Sequence, residues 1–362
     1  MADNYTFEPD WASAPGDTIA DILEARKFSL SEFAAQMRDT PQRMNELLRG
    51  EVMITIETAR RLERVLGGSA AFWIIRESQY REDVDRLQSK NPSADAEWLS
   101  EIPLKDMIKF RWVRPISRPK DSLAECLKFF GVPTVPAWHE TYRNLIENSA
   151  FRTSTLFESK VGAVAAWLRR GEIESQSINC KRWDAARFQE VLFDIRRFTR
   201  KKDPQLFIPE IVKRCAECGV AVVIVRAPSG CRASGATRFL SGSKPLMVLS
   251  FRYLSDDQLW FTFFHEAGHL FLHGKNTLFL EGLSSAPTKE EKEANDFAAE
   301  ILVPAEFRVP LRILPTKARE VIKFARHVGV SPGIVVGQLQ HLGRLKPNQL
   351  NTLKRRFTWG SD

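Results

Sequence analysis

Apolar side chains near the start of the chain recur every three or four residues, which is the spacing of an amphipathic helix. One such stretch runs from Gly16 to Lys27, and a second follows Ser29-Leu30-Ser31-Glu32, which has the form of a capping box. The inward positions of the two stretches are Ile19, Ile22, Leu23, Phe33, Ala34 and Met37. The pattern predicts short helices that pack around a shared apolar core.

The next stretch has the spacing of a helix-turn-helix. Thr40 can cap a helix that has Pro41 at its first position and continues to Gly50. The second helix of such a motif enters the DNA major groove with its first turns forward. The side chains that we expect to reach base edges are Gln42, Arg43 and Asn45, and the one nearer phosphate is Arg49. A helical interaction module with a solvated polar face is the alternative, because Glu46 and Glu51 weaken the positive field.

The middle of the chain alternates polar breaks with helical stretches. Asn91-Pro92-Ser93 favours a linker near residues 85 to 100. Helices are expected from 122 to 130, from 159 to 170 and from 183 to 198, the first two ended by Gly131 and Gly171. No catalytic constellation is visible here, so the region is interpreted as a spacer that sets orientation.

The C-terminal part predicts an α+β fold. Three β-rich runs at 220–225, 236–240 and 246–250 are separated by Gly and Pro, which favours a small meander. Ser255-Asp256-Asp257-Gln258 then has the form of a capping box, and Gly274 can end the helix after about His273. Apolar side chains surround this helix on nearly all sides: Trp260, Phe261, Phe263, Phe264, Leu270 and Phe271. Such a helix is expected to be buried.

His265 and His269 are one turn apart on this buried helix, so their side chains can bind one zinc ion. His273 continues the spacing but lies ~12 Å along the axis from His265, too far to share that ion. A third protein ligand is therefore required. Glu293 borders the apolar stripe of a second helix-like stretch, residues 290–304, and a carboxylate there is costly to bury unless it is paired or coordinated. We therefore expect Glu293 to be the third ligand.

Glu266 follows the first histidine and is expected to act as the base. Two histidines and one carboxylate leave a zinc position for water, whose pKa falls to about 7. Glu266 can take the proton and deliver it to the leaving amine of a cleaved peptide. The alternative, a chance His-Glu-x-x-His on an amphipathic helix, is disfavoured by the apolar flanks and the downstream carboxylate helix. Arg238 could steady the carbonyl oxygen of a substrate or form a surface ion pair.

Composition limits the other functional classes. The net charge is +8, but residues 1–90 contain 12 Lys or Arg against 16 Asp or Glu, so nucleic-acid binding must be local. No apolar run approaches 18 residues and the N terminus lacks the pattern of a signal peptide, so we expect a cytoplasmic protein without membrane association. The five cysteines, including Cys215 and Cys218, are interpreted as reduced thiols without a metal role.

Several N-terminal segments resemble the HigA-type branch of the XRE helix-turn-helix family. The matching segments are Pro15-Gly16-Asp17, Leu47-Leu48-Arg49-Gly50, Ala59-Arg60-Arg61-Leu62 and Phe72-Trp73 with Tyr80. That resemblance implies an antitoxin-like protein that represses its own operon as a dimer. Arg76-Glu77 departs from the Leu-Gln that is usual in the family, so a toxin interface is not transferred to this chain.

The C-terminal motifs resemble the ImmA/IrrE family of zinc metallopeptidases. The matching segments are His265 to His269, Glu293-Ala294-Asn295-Asp296-Phe297-Ala298, Leu302-Val303-Pro304 and Val330 to Leu339. Some members of that family cleave or inactivate repressors. The resemblance implies a gluzincin-like fold with His265, His269 and Glu293 as zinc ligands and Glu266 as the base.

The expected protein is multidomain. It would have an all-α helix-turn-helix domain at residues 1–85, a helical middle region at 86–204 and an α+β gluzincin-like metallopeptidase domain at 205–362. The first functional hypothesis is a homodimeric regulator that binds a double-stranded DNA operator and cleaves a protein partner, either a repressor or a toxin-antitoxin-type protein. The second is an antitoxin-like autorepressor whose metallopeptidase fold grips a toxin or senses a ligand with little proteolysis.

Overall fold

A computed structural model describes residues 11–89, 92–115, 119–151, 160–241, 244–273, 278–281 and 288–359. The chain divides into two compact units, Met1–Asn144 and Leu145–Asp362. The helices of the expected middle region are therefore shared between the two units. The three-segment division stays a prediction.

The first unit begins with five helices, and the second and third start at the predicted caps Ser29 and Thr40. The five helices are α1 (Pro15–Ala25), α2 (Leu30–Met37), α3 (Pro41–Leu48), α4 (Ile56–Leu66) and α5 (Ala70–Ser89). The Ser29 side chain accepts from the Glu32 amide, and the Thr40 side chain accepts from the Arg43 amide. Arg38 takes a left-handed conformation (φ 53°) and opens the tight turn between α2 and α3. The predicted helix-turn-helix spacing is therefore present.

Helices continue beyond the point where a linker was expected. The helix α5 extends to Ser89, and α6 occupies Pro92–Glu101, so the expected linker at residues 85–100 is wrong for all but the undescribed residues 90 and 91. The next helices are α7 (Leu104–Lys109), α8 (Pro119–Phe130), α9 (Val135–Trp138), a π-helical turn (His139–Arg143) and α10 (Asn144–Phe151). Buried Trp98, Phe130 and Trp138 meet edge to face and form a second small core.

The second unit contains eight further α-helices in its described part, besides two short 3₁₀ turns. The α-helices are α11 (Val161–Ser175), α12 (Ala185–Arg196), α13 (Pro204–Ala216), α14 (Asp256–Leu272), α15 (Lys289–Leu302), α16 (Ala305–Arg312), α17 (Ala318–Val328) and α18 (Pro332–His341). The helix α11 does not end at Gly171 as predicted. A Cβ at Gly171 would lie 2.6 Å from Val248 Cγ2, so this glycine allows α11 to pack closely against the sheet.

One four-stranded sheet supports the second unit. Its strands are β1 (Ala221–Ile224), β2 (Gly235–Ser241), β3 (Lys244–Leu249) and β4 (Phe279–Glu281), in the order β1-β3-β2-β4. Because β1 pairs with β3 in parallel, the predicted meander is wrong. The strand β4 follows α14 in the chain and pairs antiparallel with β2. It has only three residues, and the sequence analysis did not predict it.

The helix α14 lies in the main core, as its all-round apolar pattern predicts. Trp260, Phe263 and Phe264 are each 0 to 1% exposed. The predicted start is confirmed, but Ser255 makes no side-chain cap, so the expected capping box is wrong. Asp256 is instead fully buried and accepts from the Ser331 hydroxyl at 2.7 Å and from the Arg355 amide at 3.0 Å. Gly274 lies outside the described residues.

No helix in the described ranges is long and apolar enough to cross a membrane.

Candidate metal centre

His265 and His269 point into the same buried space from α14. Their Nε2 atoms lie 2.9 Å apart, and each residue is 1% exposed. One helical turn separates the two positions, so the backbone of α14 alone sets this geometry. The structure therefore brings together the histidine pair that the sequence predicts.

Glu291 supplies the carboxylate that reaches both imidazoles. Its Oε2 lies 3.2 Å from His265 Nε2, and its Oε1 lies 3.4 Å from His269 Nε2. Ligand atoms of all three residues fall within 4.8 Å of one another. The side chain of Glu293 is 45% exposed and contacts His273 and Lys289. We expected Glu293 to join the histidine pair, but Glu291 lies there instead.

The helical periodicity of α15 explains this correction. Residues three, four and seven positions apart share one helix face, so Glu291 shares the face of Ala294, Asn295 and Ala298. Ala294 and Ala298 are fully buried against the rest of the domain. Glu293 is adjacent to Ala294 in sequence but about 100° away around the helix. A search for the acid that lies three and seven residues before the buried alanines, rather than for the acid next to one of them, would have identified Glu291.

Hydrogen bonds at the outer ring nitrogens leave both Nε2 atoms free to face the carboxylate. His265 Nδ1 lies 3.0 Å from Asn295 Oδ1, an atom that can only accept, so Nδ1 carries the proton there. His269 Nδ1 lies 3.0 Å from His273 Nδ1, and His273 Nε2 lies 3.1 Å from Glu293 Oε2. Since Glu293 accepts from His273, His273 can accept from His269. His273 and Glu293 thus support the pair from outside rather than join it.

Glu266 lies beside the histidines and is completely buried. Both of its carboxylate oxygens are buried, and neither makes a well-formed hydrogen bond within the described part of the chain, although the Thr237 hydroxyl lies close to them. Gly235 on β2 makes room for it, because a Cβ at that position would lie 2.6 Å from Glu266 Cγ. A buried carboxylate without a well-formed hydrogen bond is costly, so its retention calls for a functional explanation.

The charges of the site are set by burial and by the contact between imidazole and carboxylate. Burial raises the pKa of Glu266 well above its usual value. Burial opposes the charged form of His265, but the hydrogen bond to Glu291 and nearby carboxylates raise its pKa to about 9. Burial also disfavours ionised Glu291, yet the bonds from both histidines lower its pKa to about 2. Burial lowers the pKa of His269 to about 4.

Two further polar groups belong to strands that pack against α14, and sequence reasoning resolved neither of them. Glu281 on β4 is a half-buried residue whose carboxylate oxygen Oε2 is buried, and burial raises its pKa. It was missed because the short strand that carries it was not predicted. Arg238 forms an ion pair with Glu172 of α11 at 2.8 Å, so the ion-pair alternative describes its contact in this structure.

The four side chains proposed to contact DNA all belong to α3 or to its C-terminal cap. Gln42 and Arg43 are exposed, whereas Asn45 and Arg49 are half-buried. Arg43 Nε lies 3.5 Å from Asp39, and Arg49 Nη1 lies 3.9 Å from Glu51. The opposite side of α3 buries Met44 and Leu47 in the core. Contact with DNA by these four residues stays a prediction.

Comparison with known proteins identifies both parts of the chain. The family model described as an IrrE N-terminal-like domain of the Peptidase_M78 type matches residues 219–339, which include the whole histidine and carboxylate cluster. An Escherichia coli K12 protein described as an uncharacterized HTH-type transcriptional regulator, YddM, is 35% identical over 81 residues. That match covers 86% of YddM and 20% of this chain. The chain belongs to the helix-turn-helix regulators and carries a fused ImmA/IrrE-family domain.

The helix-turn-helix domain uses its unusual charges internally. Arg76 Nη2 donates to the Ser13 carbonyl at 3.3 Å. Glu77 is 5% exposed and accepts from Arg81 Nε at 2.8 Å, while Arg81 Nη2 donates to the Gly50 carbonyl at 2.9 Å. Through Arg81, Glu77 therefore helps fix the chain just after α3, and Arg76 helps fix the segment before α1.

Proposed function

We propose that this regulator is a zinc-dependent endopeptidase whose helix-turn-helix domain binds a DNA operator and whose C-terminal domain cleaves a protein partner. The partner would be a repressor or a protein of the toxin-antitoxin type, and a cytoplasmic homodimer would bind a two-fold operator. The observation that carries the proposal is the convergence of His265, His269 and Glu291 beside the fully buried Glu266.

The spacing of the three side chains fits a zinc ion. Ligand atoms at about 2.1 Å from one tetrahedral ion lie roughly 3.4 Å from each other. The separations of 2.9, 3.2 and 3.4 Å among the two Nε2 atoms and the Glu291 oxygens are close to that value. Two imidazoles and one carboxylate are also the donor set of catalytic zinc sites, which keep one position open.

The residues around the centre would divide the work of peptide hydrolysis. When bound, zinc supplies Lewis acidity, which polarises a carbonyl group and lowers the pKa of water. Glu266 would take a proton from the attacking water and pass it to the nitrogen of the leaving peptide, as a new C–O bond forms and the C–N bond breaks. Asn295 would hold the tautomer of His265, and His273 with Glu293 would hold that of His269.

The exposed face of α3 supports the DNA-binding half of the proposal. Gln42 and Arg43 lie on the first turn, where a recognition helix meets base edges, and Arg49 lies at the end nearer the phosphates. YddM is described as an HTH-type transcriptional regulator, which agrees with this use of the domain.

A second candidate is a binding protein with little or conditional turnover. His265 and His269 are each 1% exposed and Glu266 is 0% exposed. A protein substrate would need part of the covering structure to move before its peptide bond met these groups. That burial favours an antitoxin-like repressor whose metallopeptidase fold senses a ligand or grips a toxin.

A single substitution separates the two candidates. Glu266→Gln removes the base while leaving both histidines and Glu291 in place, so we expect zinc and operator affinity to persist. Cleavage of the neighbouring gene's product by zinc-loaded protein should be lost. If wild type and Glu266→Gln produce the same fragments, or regulate a reporter promoter identically, the peptidase candidate fails and the binding candidate stands.

A further inference from the structure

A cavity lies between the start of α13, the end of β1 and the C-terminal segment Lys354–Trp359, and none of its lining residues belongs to the histidine cluster. Its volume is about 650 Å³, which is within the range of small-molecule sites. Apolar and aromatic side chains form much of its wall: Ile208, Ile224, Phe251, Leu254, Phe357 and Trp359. We call this space the C-terminal cavity.

The walls of the C-terminal cavity suit a flat aromatic body. Phe251 contacts the Phe357 ring at 5.8 Å and 72°, and the Trp359 ring at 5.8 Å and 88°. The three rings therefore present edges and faces at right angles, which is the arrangement that aromatic partners prefer. A planar ring system can pack on such a wall more completely than a flexible alkyl chain can.

The charges of the cavity suit one negative group. Lys202 and Arg356 line it, both are exposed, and neither forms an ion pair with any described residue. Arg356 Nη1 donates only to the Tyr253 carbonyl, at 3.3 Å. Asp203 also lines the cavity, but its carboxylate accepts from the Gln205 amide at 2.9 Å and caps α13. The lining thus carries one net positive charge, so a monoanion is complementary to it.

Backbone conformation marks the same place. Phe251 and Leu254 both have positive φ, 51° and 49°, and both line the cavity. Bulky residues rarely adopt this left-handed conformation, and residues held in it cluster at ligand sites and switches. Two residues in this conformation therefore lie in the wall of the C-terminal cavity.

The C-terminal segment connects this cavity to the helix that carries the histidines. Lys354 Nζ lies 2.6 Å from Asp257 Oδ2, and the Arg355 backbone exchanges hydrogen bonds with Asp256 at 3.0 and 3.1 Å. Ser255 and Arg356 form a β-bridge. Residues 354–356 thus hold the first turn of α14, and the next residues, 357–359, form the cavity wall.

We propose that the C-terminal cavity binds a small aromatic carboxylate, and that the bound acid holds residues 354–359 against the first turn of α14. The carboxylate would lie between Lys202 and Arg356, and the ring system would pack against Phe251, Phe357 and Trp359. Any effect of the ligand on peptide cleavage rests on the proposed function. The binding site does not, because it shares no residue with the histidine cluster.

The binding test uses full-length protein with 2-naphthoate as the probe and neutral 2-naphthylmethanol as its matched control. We expect saturable one-to-one binding of the acid by calorimetry and at least fivefold weaker binding of the alcohol. Arg356→Gln should weaken binding of the acid two- to fivefold, which is the range expected for loss of a single exposed ion pair. Arg312→Gln, an exposed cation on α16 outside the cavity, should leave binding unchanged. Absence of saturable binding, or equal binding of acid and alcohol, would overturn the proposal.

A cavity-filling variant and hydrogen exchange test the location and the coupling. Ile208→Trp, checked for folding by circular dichroism, should weaken 2-naphthoate binding more than tenfold because its ring occupies the cavity. In wild type and in Glu266→Gln alike, the bound acid should slow amide exchange in residues 354–359 and 255–259. Unaltered binding in Ile208→Trp would show that the acid does not bind in the C-terminal cavity. Binding without slower exchange would show that the bound acid does not hold the C-terminal segment against α14. Neither readout depends on proteolysis, so a failure here is distinct from a failure of the peptidase proposal.

Discussion

The helices α3 and α14 place polar side chains in opposite environments. On α3, Gln42 and Arg43 are exposed, and the helix is capped by its own neighbour Thr40. On α14, Asp256, His265 and Glu266 are buried. Asp256 accepts from Arg355, 99 residues away, and His265 contacts Glu291 and Asn295 of another helix. The comparison teaches that polar groups of α3 are available to an external partner without cost to the fold, whereas those of α14 are part of the core.

The largest expected effect is at the buried start of α14. Asp256→Ala should lower the free energy of unfolding by about 2–4 kcal/mol, because it leaves the Ser331 hydroxyl and the Arg355 amide buried without their acceptor. Asp256→Asn is the matched control and should cost less, since it keeps an acceptor oxygen and burial already raises the pKa of Asp256. Chemical denaturation measures both. Equal, small losses would show that α14 does not depend on these bonds.

The next effect concerns the space around Glu266. Gly235→Ala places a methyl group against the Glu266 side chain, and overpacking of this kind costs about 1–3 kcal/mol. Because the added methyl group would displace the Glu266 side chain next to the histidines, zinc affinity and any cleavage activity should fall with stability. Denaturation and zinc titration of the variant measure this. A variant as stable as wild type would contradict the close packing of Glu266 against β2.

A pH effect of intermediate size follows from His265. Its pKa is raised to about 9, so zinc must displace a proton from it at every pH below that value. Zinc affinity should keep rising about tenfold per pH unit from 6.5 to 9, whereas an ordinary histidine pair would level off near its usual pKa of about 6.5. Titration against a competing chelator measures this. In metal-free protein the same raised pKa stabilises the fold at low pH, and that contribution is lost as pH rises through about 9.

The smallest effect on stability is expected on α3. Arg43→Gln should change the free energy of unfolding by no more than about 0.5 kcal/mol, because its only described ion pair is exposed. Operator affinity should nevertheless fall by about 1–3 kcal/mol if Arg43 reads a base edge. Denaturation and DNA titration on one preparation separate the two quantities. Loss of stability without loss of DNA affinity would reverse the comparison between the helices.

The sequence predicted the structure well where local interactions determine it. Ser29 and Thr40 cap their helices through residues three positions away, so the helix-turn-helix was visible in a short window. Sheet order was not visible, because the parallel pairing of β1 with β3 skips over β2. Gly171 resembled a helix end, but it is a packing glycine that meets Val248, 77 positions further along the chain. The errors lie where a residue's role depends on a distant partner.

The candidate site follows the same division. The separation of His265 and His269 is a property of one helix, so the pair could be predicted. The choice between Glu291 and Glu293 depends on how α15 is rotated against α14, which the buried alanines of α15 determine. The roles of His273 and Asn295 required the three-dimensional contacts.

The most direct test of the metal centre is a zinc titration of Glu291→Gln beside Glu293→Gln, with metal content measured after dialysis. Glu291→Gln should reduce zinc affinity by more than the 10–100-fold that follows from loss of an outer partner, because it removes a ligand itself. Glu293→Gln should stay within that range, since Glu293 acts only through His273. Full zinc retention by Glu291→Gln, or a larger loss in Glu293→Gln, would contradict the assignment of Glu291 as the third ligand.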